Sequence, residues 1–407
     1  MKKSSILMLC ALTSFGAFAQ KSLVEEVEHS IGGFNSDYKA ACEKIVPALT
    51  NEETKGQAKT WFVAGEASFG LYDNSYSKLQ LGQAVDTVLM ANSIVKGYDY
   101  FMTALPLDTV KEVNKKGKVK IKTKYSKDIV NTLVGHHNDF QLAGSMLYEK
   151  QKYADAAKCW DIYAKLPYSG IADRSKFMAH DTIIGQIEFY QGVALWQSKD
   201  LKGAVNAFAN ARKHGNLSKD AFDYALFCCA ELKDNDGVVA IAKEALPVHG
   251  DKDSQYLNIL INDNINKGNY DEAQKMIEQA IAKQPNSAEL YNVMGIMYEQ
   301  KKDDKKAMEC FLKAVELDAN HAQGQFNVGR CIMKQAVDVQ KKMESLKGAE
   351  YAAARDNEYL PLLHKALPYM EKAYQLDPEN DAAKNILRNI YYQLGDEEKL
   401  NALESTH

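Results

Sequence analysis

Few residues in this chain stand at spacings that chemistry requires. His136 and His137 could bind a metal by type, but neighbours on a helix point about 100° apart. No Cys or carboxylate stands beside them at ligand spacing, so both are expected at the surface. Cys228 and Cys229 are adjacent in an apolar run, which fits helix core better than a redox pair. The chain has no HExxH, no glycine-rich phosphate loop, no GxSxG elbow and no CxxC. The expectation is therefore a protein that is not an enzyme, with no catalytic residue, no metal and no cofactor. One charged stretch stands out, with eight lysines between Lys111 and Lys127. Within it Val119 and Ile121 alternate with lysines, which predicts a short ribbon. It is either a solvated linker or a basic patch for acidic glycans, lipopolysaccharide or a protein edge.

The elements that would position any site are helices. Between Ala288 and Asn320 the residues Tyr291, Met294, Gly295 and Tyr298 form one run at helical spacing. Ala307, Phe311, Ala314 and Leu317 form a second, and the polar turn Lys301 to Lys305 separates them. That is a helical hairpin, and it recurs. Phe140, Gly144, Tyr153, Ala156 and Trp160 repeat the order, as do Glu188, Gly192, Ala204 and Phe208. Weaker copies run through Phe222, Ala225, Cys229 and Ala242, and through Leu257, Ile261, Ala273 and Ile277. Trp61 to Ser68 starts a unit whose second helix returns at Gly97, Phe101 and Ala104, implying an insertion over 72–91. Gln325 to Ile332 starts another that returns at Ala366 and Met370, implying an insertion over about 333–358. That segment should form a projecting helical hairpin whose deletion spares the fold. Pro361 suits the first turn of the returning helix, and Pro368 should kink it or mark its start.

This order of aromatic, small and apolar residues resembles the tetratricopeptide repeat (TPR), whose period is about 34 residues. The resemblance implies an all-α, right-handed superhelical solenoid of helix-turn-helix repeats, here with an inserted helical hairpin and a short Lys-rich ribbon. Degenerate repeats are expected over 20–135, with the Lys-rich insertion at 111–127. A regular solenoid should follow over 136–407, closed by a C-terminal capping helix. The family's ligands lie along the concave face made by first helices. On this chain that face implies Gln255, Asn258, Asn262 and Asn266, then Glu289, Asn292, Ile296 and Glu299, then Gln323, Phe326, Arg330 and Met333. Earlier units add Phe62, Phe69, Tyr148, Phe189 and Trp196. The amides could hydrogen-bond an extended peptide backbone. The carboxylate clamp of TPR cochaperones is not reproduced, because of the five matching positions, Asn258, Asn262, Val293, Gln323 and Asn327, only Asn262 agrees.

Compartment and charge complete the picture. Lys2 and Lys3, an apolar run from Ile6 to Phe18, and Ala17-Phe18-Ala19 read as a signal peptide over 1–19. Its removal would take the formal charge from −4 to −6, which argues against nucleic acid as a general partner. Six cysteines would remain, and their irregular spacing within apolar runs favours buried thiols over disulfides, with Cys310 and Cys331 the pair to test first. Asp86-Thr87-Val88, Asp108-Thr109-Val110 and Asp181-Thr182-Ile183 resemble an O-glycosylation pattern of some secreted bacterial proteins. No later segment is long and apolar enough to span a bilayer. The expected function is a non-catalytic scaffold of the bacterial envelope that binds a protein or extended peptide. The expected location is the periplasm, with the extracellular space or outer-membrane surface as alternatives. A glycan-binding accessory protein of the SusD-like class is the rival reading, with Phe189 and Trp196 as its sugar-facing residues.

Overall fold

The computed structural model describes residues 21–33, 36–113, 119–177, 179–250 and 254–405. The expected signal peptide lies outside them. The chain divides into two compact units, one ending at Ile241 and one beginning at Ala242, so the boundary expected at 135/136 falls inside the first.

Helical hairpins build the first unit. Helix α1 spans 21–31, followed by α2 (Tyr38–Lys44) and α3 (Val46–Thr50), with Pro47 in the first turn of α3. Next come α4 (Ala58–Gln80) and α5 (Thr87–Leu107), then strands β1 (Val110–Val113) and β2 (Val119–Lys122). Helix α6 (Ser126–Gly135) leads into the hairpin of α7 (His137–Glu149) and α8 (Tyr153–Lys165). The hairpin of α9 (Asp181–Gln197) and α10 (Leu201–Lys213) follows, then α11 (Lys219–Glu231) and α12 (Asn235–His249), within which the units divide. Helix α4 packs against α5, α7 against α8 and α9 against α10, while α8 against α9 and α10 against α11 join successive hairpins.

The second unit continues with α13 (Gln255–Asn266) and α14 (Tyr270–Lys283), then α15 (Ala288–Gln300) and α16 (Asp304–Leu317). Helix α17 (Ala322–Met343) pairs with α19 (Leu360–Leu376) across the short α18 (Gly348–Ala354). Helices α20 (Asp381–Leu394) and α21 (Glu397–Ser405) close the unit.

Two local rules make the hairpins. The first is the turn. Lys199, Lys233 and Lys302 sit in the left-handed region at φ 69°, 58° and 62°, and Gly268 does so at 75°. These positions fall at the repeat period, and the residue after each lysine is an aspartate. Asp200, Asp234 and Asp303 each accept a backbone N–H three residues on, at 2.9, 2.9 and 3.1 Å, so the turn ends by capping the next helix. The second rule is close approach. A Cβ at Gly295 would lie 2.5 Å from the Phe311 ring, and one at Gly192 would lie 2.6 Å from Phe208. Gly65 receives Phe101 and Gly144 receives Trp160 in the same way.

The structure shows what form the two expected insertions take, and corrects one of them. Residues 72–91 lengthen α4 and α5 to 23 and 21 residues, with Tyr72, Met90 and Ala91 fully buried. Residues 333–358 do form a hairpin, but it is packed rather than projecting. Helix α17 continues straight to Met343, and α18 returns through a π turn at Arg355–Tyr359. Met343, Ala354 and Tyr359 are buried in the same core as Phe311 and Met370, so deleting this segment would open that core. Pro361 occupies the first turn of α19 as expected, and α19 runs through Pro368.

The Lys-rich ribbon is present as an antiparallel pair, from Val110 opposite Lys122 to Val113 opposite Val119. Val119 and Ile121 are both 60% exposed. Its base is held by Asp108, which is 4% exposed. The carboxylate accepts N–H bonds from Lys124 at 3.0 Å and from Tyr125 and Ser126 at 2.7 Å, plus the Ser126 hydroxyl at 2.7 Å. Burial alone would raise its pKa, but these bonds outweigh burial and hold it below the usual carboxylate range. The aspartates of the three Asp-Thr triplets each have a structural role. Asp86 caps α5 through Leu89 N–H at 2.9 Å, Asp108 anchors the ribbon, and Asp181 starts α9. All six described cysteines are free, including Cys310 and Cys331. Burial pushes the thiols of Cys159 up to about 12 and of Cys228 and Cys310 up to about 11.

Thermal and urea unfolding should separate the two rules by sign. Gly295→Val is expected to cost roughly 3 kcal/mol through overpacking against Phe311. Lys302→Gly is expected to stabilise by about 0.5–1 kcal/mol, because its native φ is one that L side chains resist. Two changes of the same sign would contradict this account. Asp108 supplies a pH signature. Its folded pKa is depressed, so its stabilisation is present above the unfolded value of about 4 and is lost as pH falls through the folded value. Asp108→Asn should be less stable by roughly 2 kcal/mol at neutral pH. The two unfolding curves should converge on acidification, and a gap that ignores pH would refute the assignment.

Candidate functional site

The two histidines are not at the surface. His137 is 2% exposed, its ring stacked on Tyr163 at 4.2 Å, and its Nε2–H donates to the Tyr163 carbonyl at 2.8 Å. Burial pushes its pKa down, which keeps it neutral. His136 is half-buried against Phe69 and hydrogen-bonds Asp139 at 2.7 Å. Burial lowers its pKa, but Asp139 and Asp73 more than reverse that. The reason sequence spacing missed this is the short break between α6 and α7, which turns both rings inward. Among the described residues, no group of three or more His, Cys, Asp or Glu is placed to hold a metal.

The amide-rich face in the second unit is largely spoken for by its own neighbours. Asn292 is 2% exposed, and its Oδ1 accepts from Asn327 Nδ2 at 2.8 Å. It is therefore corrected from a groove residue to an internal staple between α15 and α17. Gln323 donates to Asn327 at 3.3 Å, and Arg330 grips Glu299 with two bonds of 2.6 and 2.7 Å. Glu289 pairs with His321 at 2.9 Å, and that bond lowers its pKa. Phe326 packs partly buried against the core. On α13, Gln255, Asn262 and Asn266 are exposed, whereas Asn258 is half-buried with its Oδ1 lacking a hydrogen-bond partner. A cleft of about 510 Å³ lies between α17 and α20, lined by Arg330, Lys334, Asn385 and Asn389. Its two cations are already paired, Arg330 with Glu299 and Lys334 with Asp304 at 2.7 Å.

The first unit holds a different surface. Helices α7, α9 and α11, first helices of three successive hairpins, enclose a groove of about 550 Å³. Tyr148 and Glu149 enter from α7, Phe189, Tyr190 and Val193 from α9, and Asp220 and Tyr224 from α11, with Trp160 of α8 at the floor. The rings meet at an angle. Tyr148 and Trp160 are inclined by 38°, Trp160 and Tyr190 by 42°, and Phe189 and Tyr224 by 68°. They form walls rather than one flat platform. Trp160 is 4% exposed and donates to the Gln141 carbonyl at 3.2 Å, so its ring is fixed. Burial, with Tyr153 and Tyr224 nearby, pushes the Tyr148 hydroxyl pKa up.

Phe189 lines this groove. Trp196 does not, since it packs behind it against Tyr224 at 5.3 Å and Phe227 at 6.0 Å. Phe62 and Phe69 are packing residues on Phe101. Sequence reasoning missed Tyr190 and Tyr224, although they share a register position in successive repeats and that periodicity could have found them. The polar slot at Glu188 is also explained. Its carboxylate is 5% exposed and meets His214 Nδ1 at 2.7 Å, which fixes the α9–α10 crossing beside the groove.

Known proteins resemble this architecture. Residues 260–322 match the family model described as tetratricopeptide repeat. The human Superkiller complex protein 3 is 34% identical over 64 residues, a stretch that is 16% of this chain and 4% of that protein. Among solved structures, YrrB, a TPR protein with an unusual peptide-binding site, is similar with TM-score 0.34 and 16% identity. That likeness covers 49% of this chain and 96% of YrrB. The human IFIT1 dimer, solved with m7Gppp-AAAA, is similar with TM-score 0.37 and 14% identity, over 83% of this chain and 71% of IFIT1. The tetratricopeptide-repeat match thus falls on α13 to α16, and the described fold is all-α, built of successive helical hairpins.

Proposed function

We propose that this chain is a non-catalytic scaffold that binds an extended segment of another protein along the first helices of its repeats. The observation that carries this reading is the groove between α7, α9 and α11, where three helices from three repeats leave aromatic side chains facing one open volume. A straight polypeptide can cross successive first helices and place alternate side chains between those rings. A glycan is the rival ligand. Sugar rings stack on flat exposed aromatic faces, whereas these rings are inclined to one another and Trp160 is buried at the floor. The net charge of −4 supports a protein partner over nucleic acid.

Lys2, Lys3, the apolar run and Ala17-Phe18-Ala19 support export to the bacterial envelope, with the mature chain starting at Gln20. No described helix is long and apolar enough to cross a membrane.

Selection of phage-displayed linear peptides on the full chain tests the binding reading. Selected peptides should lose more than about fivefold in affinity for Tyr190→Ala, the loss expected of an aromatic contact at an interface centre. The melting temperature should hold, since Tyr190 is 45% exposed. Peptides whose affinity ignores that change would sink the proposal. Intact mass of the protein from envelope fractions should give a chain beginning at Gln20, and retention of Lys2 and Lys3 would rule out export by this route.

A further inference from the structure

The lining of the aromatic groove carries charge of one sign only. Glu149 at the end of α7 and Asp220 at the start of α11 stand at its rim, and no lysine or arginine lines it. Both carboxylates are exposed, and neither has an ion-pair partner among the described residues. The chain elsewhere places cations over its aromatic rings, as with Arg174 over Tyr168 at 4.6 Å and Lys306 over Tyr298 at 5.2 Å. Among the described residues no such cation covers Tyr148, Tyr190 or Tyr224. The groove therefore offers the two things a cation recognises: the electron-rich faces of several rings, and carboxylates placed to neutralise its charge. Inclined rings suit this better than they suit a flat ligand, because a compact ammonium or guanidinium can meet more than one face at once.

We infer that the groove of α7, α9 and α11 is a receptor for a basic side chain, lysine or arginine, of the bound protein segment. It lies among Tyr148, Tyr190 and Tyr224 with Glu149 and Asp220 as counter-charges. This inference rests on the reading that the groove binds a polypeptide, and it names the chemistry of that polypeptide. Val193 and Phe189 supply the apolar wall for the aliphatic stem of the same side chain, which such residues bury while the charged head remains polar-solvated. The geometry orders affinity by charge: a basic segment binds, a neutral one binds less, and an acidic one is repelled by the rim.

Fluorescence anisotropy on the full chain decides this with three labelled dodecapeptides, of Lys alternating with Ala, Ser alternating with Ala, and Glu alternating with Ala. The Lys peptide should bind at least about tenfold more tightly than the Ser peptide and weaken as salt rises. The double variant Glu149→Gln/Asp220→Asn should lose that advantage while keeping its melting temperature, since both side chains are exposed. Tyr190→Ala should weaken the Lys peptide as well. Equal binding of the Lys and Ser peptides, both sensitive to Tyr190→Ala, would overturn the cationic reading and leave a protein-binding groove standing. Lack of binding by the Lys peptide, or binding indifferent to the double variant, would also overturn it. If chitohexaose bound in a Tyr190-dependent way and no peptide did, both this inference and the protein-binding reading would fall.

Discussion

The contact on which the rest depends is a ring seated on a glycine. In hairpin after hairpin the second helix delivers an aromatic side chain to a backbone position where the first helix has no Cβ: Phe101 on Gly65, Trp160 on Gly144, Phe208 on Gly192, Phe311 on Gly295. The ring is fully or almost fully buried in each case. Because the two helices can approach only where that glycine is, the contact fixes both the crossing point and the side of the first helix that faces its partner. The opposite side is then left for whatever the repeat does outwardly. Where Met370 replaces the ring, a Cβ at Gly329 would still lie 2.8 Å from its side chain, so the same geometry holds with a more adaptable residue.

Polar residues inside the hairpins are tolerated because each is answered locally. Glu188 takes a core slot by meeting His214, and Asn292 takes one by meeting Asn327. Asp108 does so by collecting three backbone N–H groups and a hydroxyl at the base of the ribbon. A buried polar group left alone would cost more than it contributes, whereas one with several matched partners fixes register between elements. These pairs sit where successive elements meet. They bear on alignment more than on raw stability.

The two units use their first helices differently. In the second, charge and amide groups on α15 and α17 close on each other, and the surface they leave is already compensated. In the first, aromatic residues on α7, α9 and α11 leave a groove with two carboxylates that no cation of the described residues answers. Internal pairing is complete on the one surface and incomplete on the other, and that is the physical difference between them.

Sequence alone determined the repeating hairpin, its period and most of its packing residues, because Gly295, Ala307 and Phe311 recur at spacings that only a helix pair satisfies. It also placed the ribbon, since alternation of Val119 and Ile121 with lysine is a property of neighbours along the chain. It placed the insertions but not their form, because periodicity cannot tell an added element from a longer helix, and only the packing of Tyr72 and Met90 between α4 and α5 decides that. The groove was half legible. Phe189 and Tyr148 follow from repeat register, but Asn292 shares the register of Phe189 and is buried. Which side chains face solvent and which meet a neighbour depends on the angle between successive first helices. That angle is set by long-range contacts such as Asn327 with Asn292, 35 residues apart, and no local pattern encodes it.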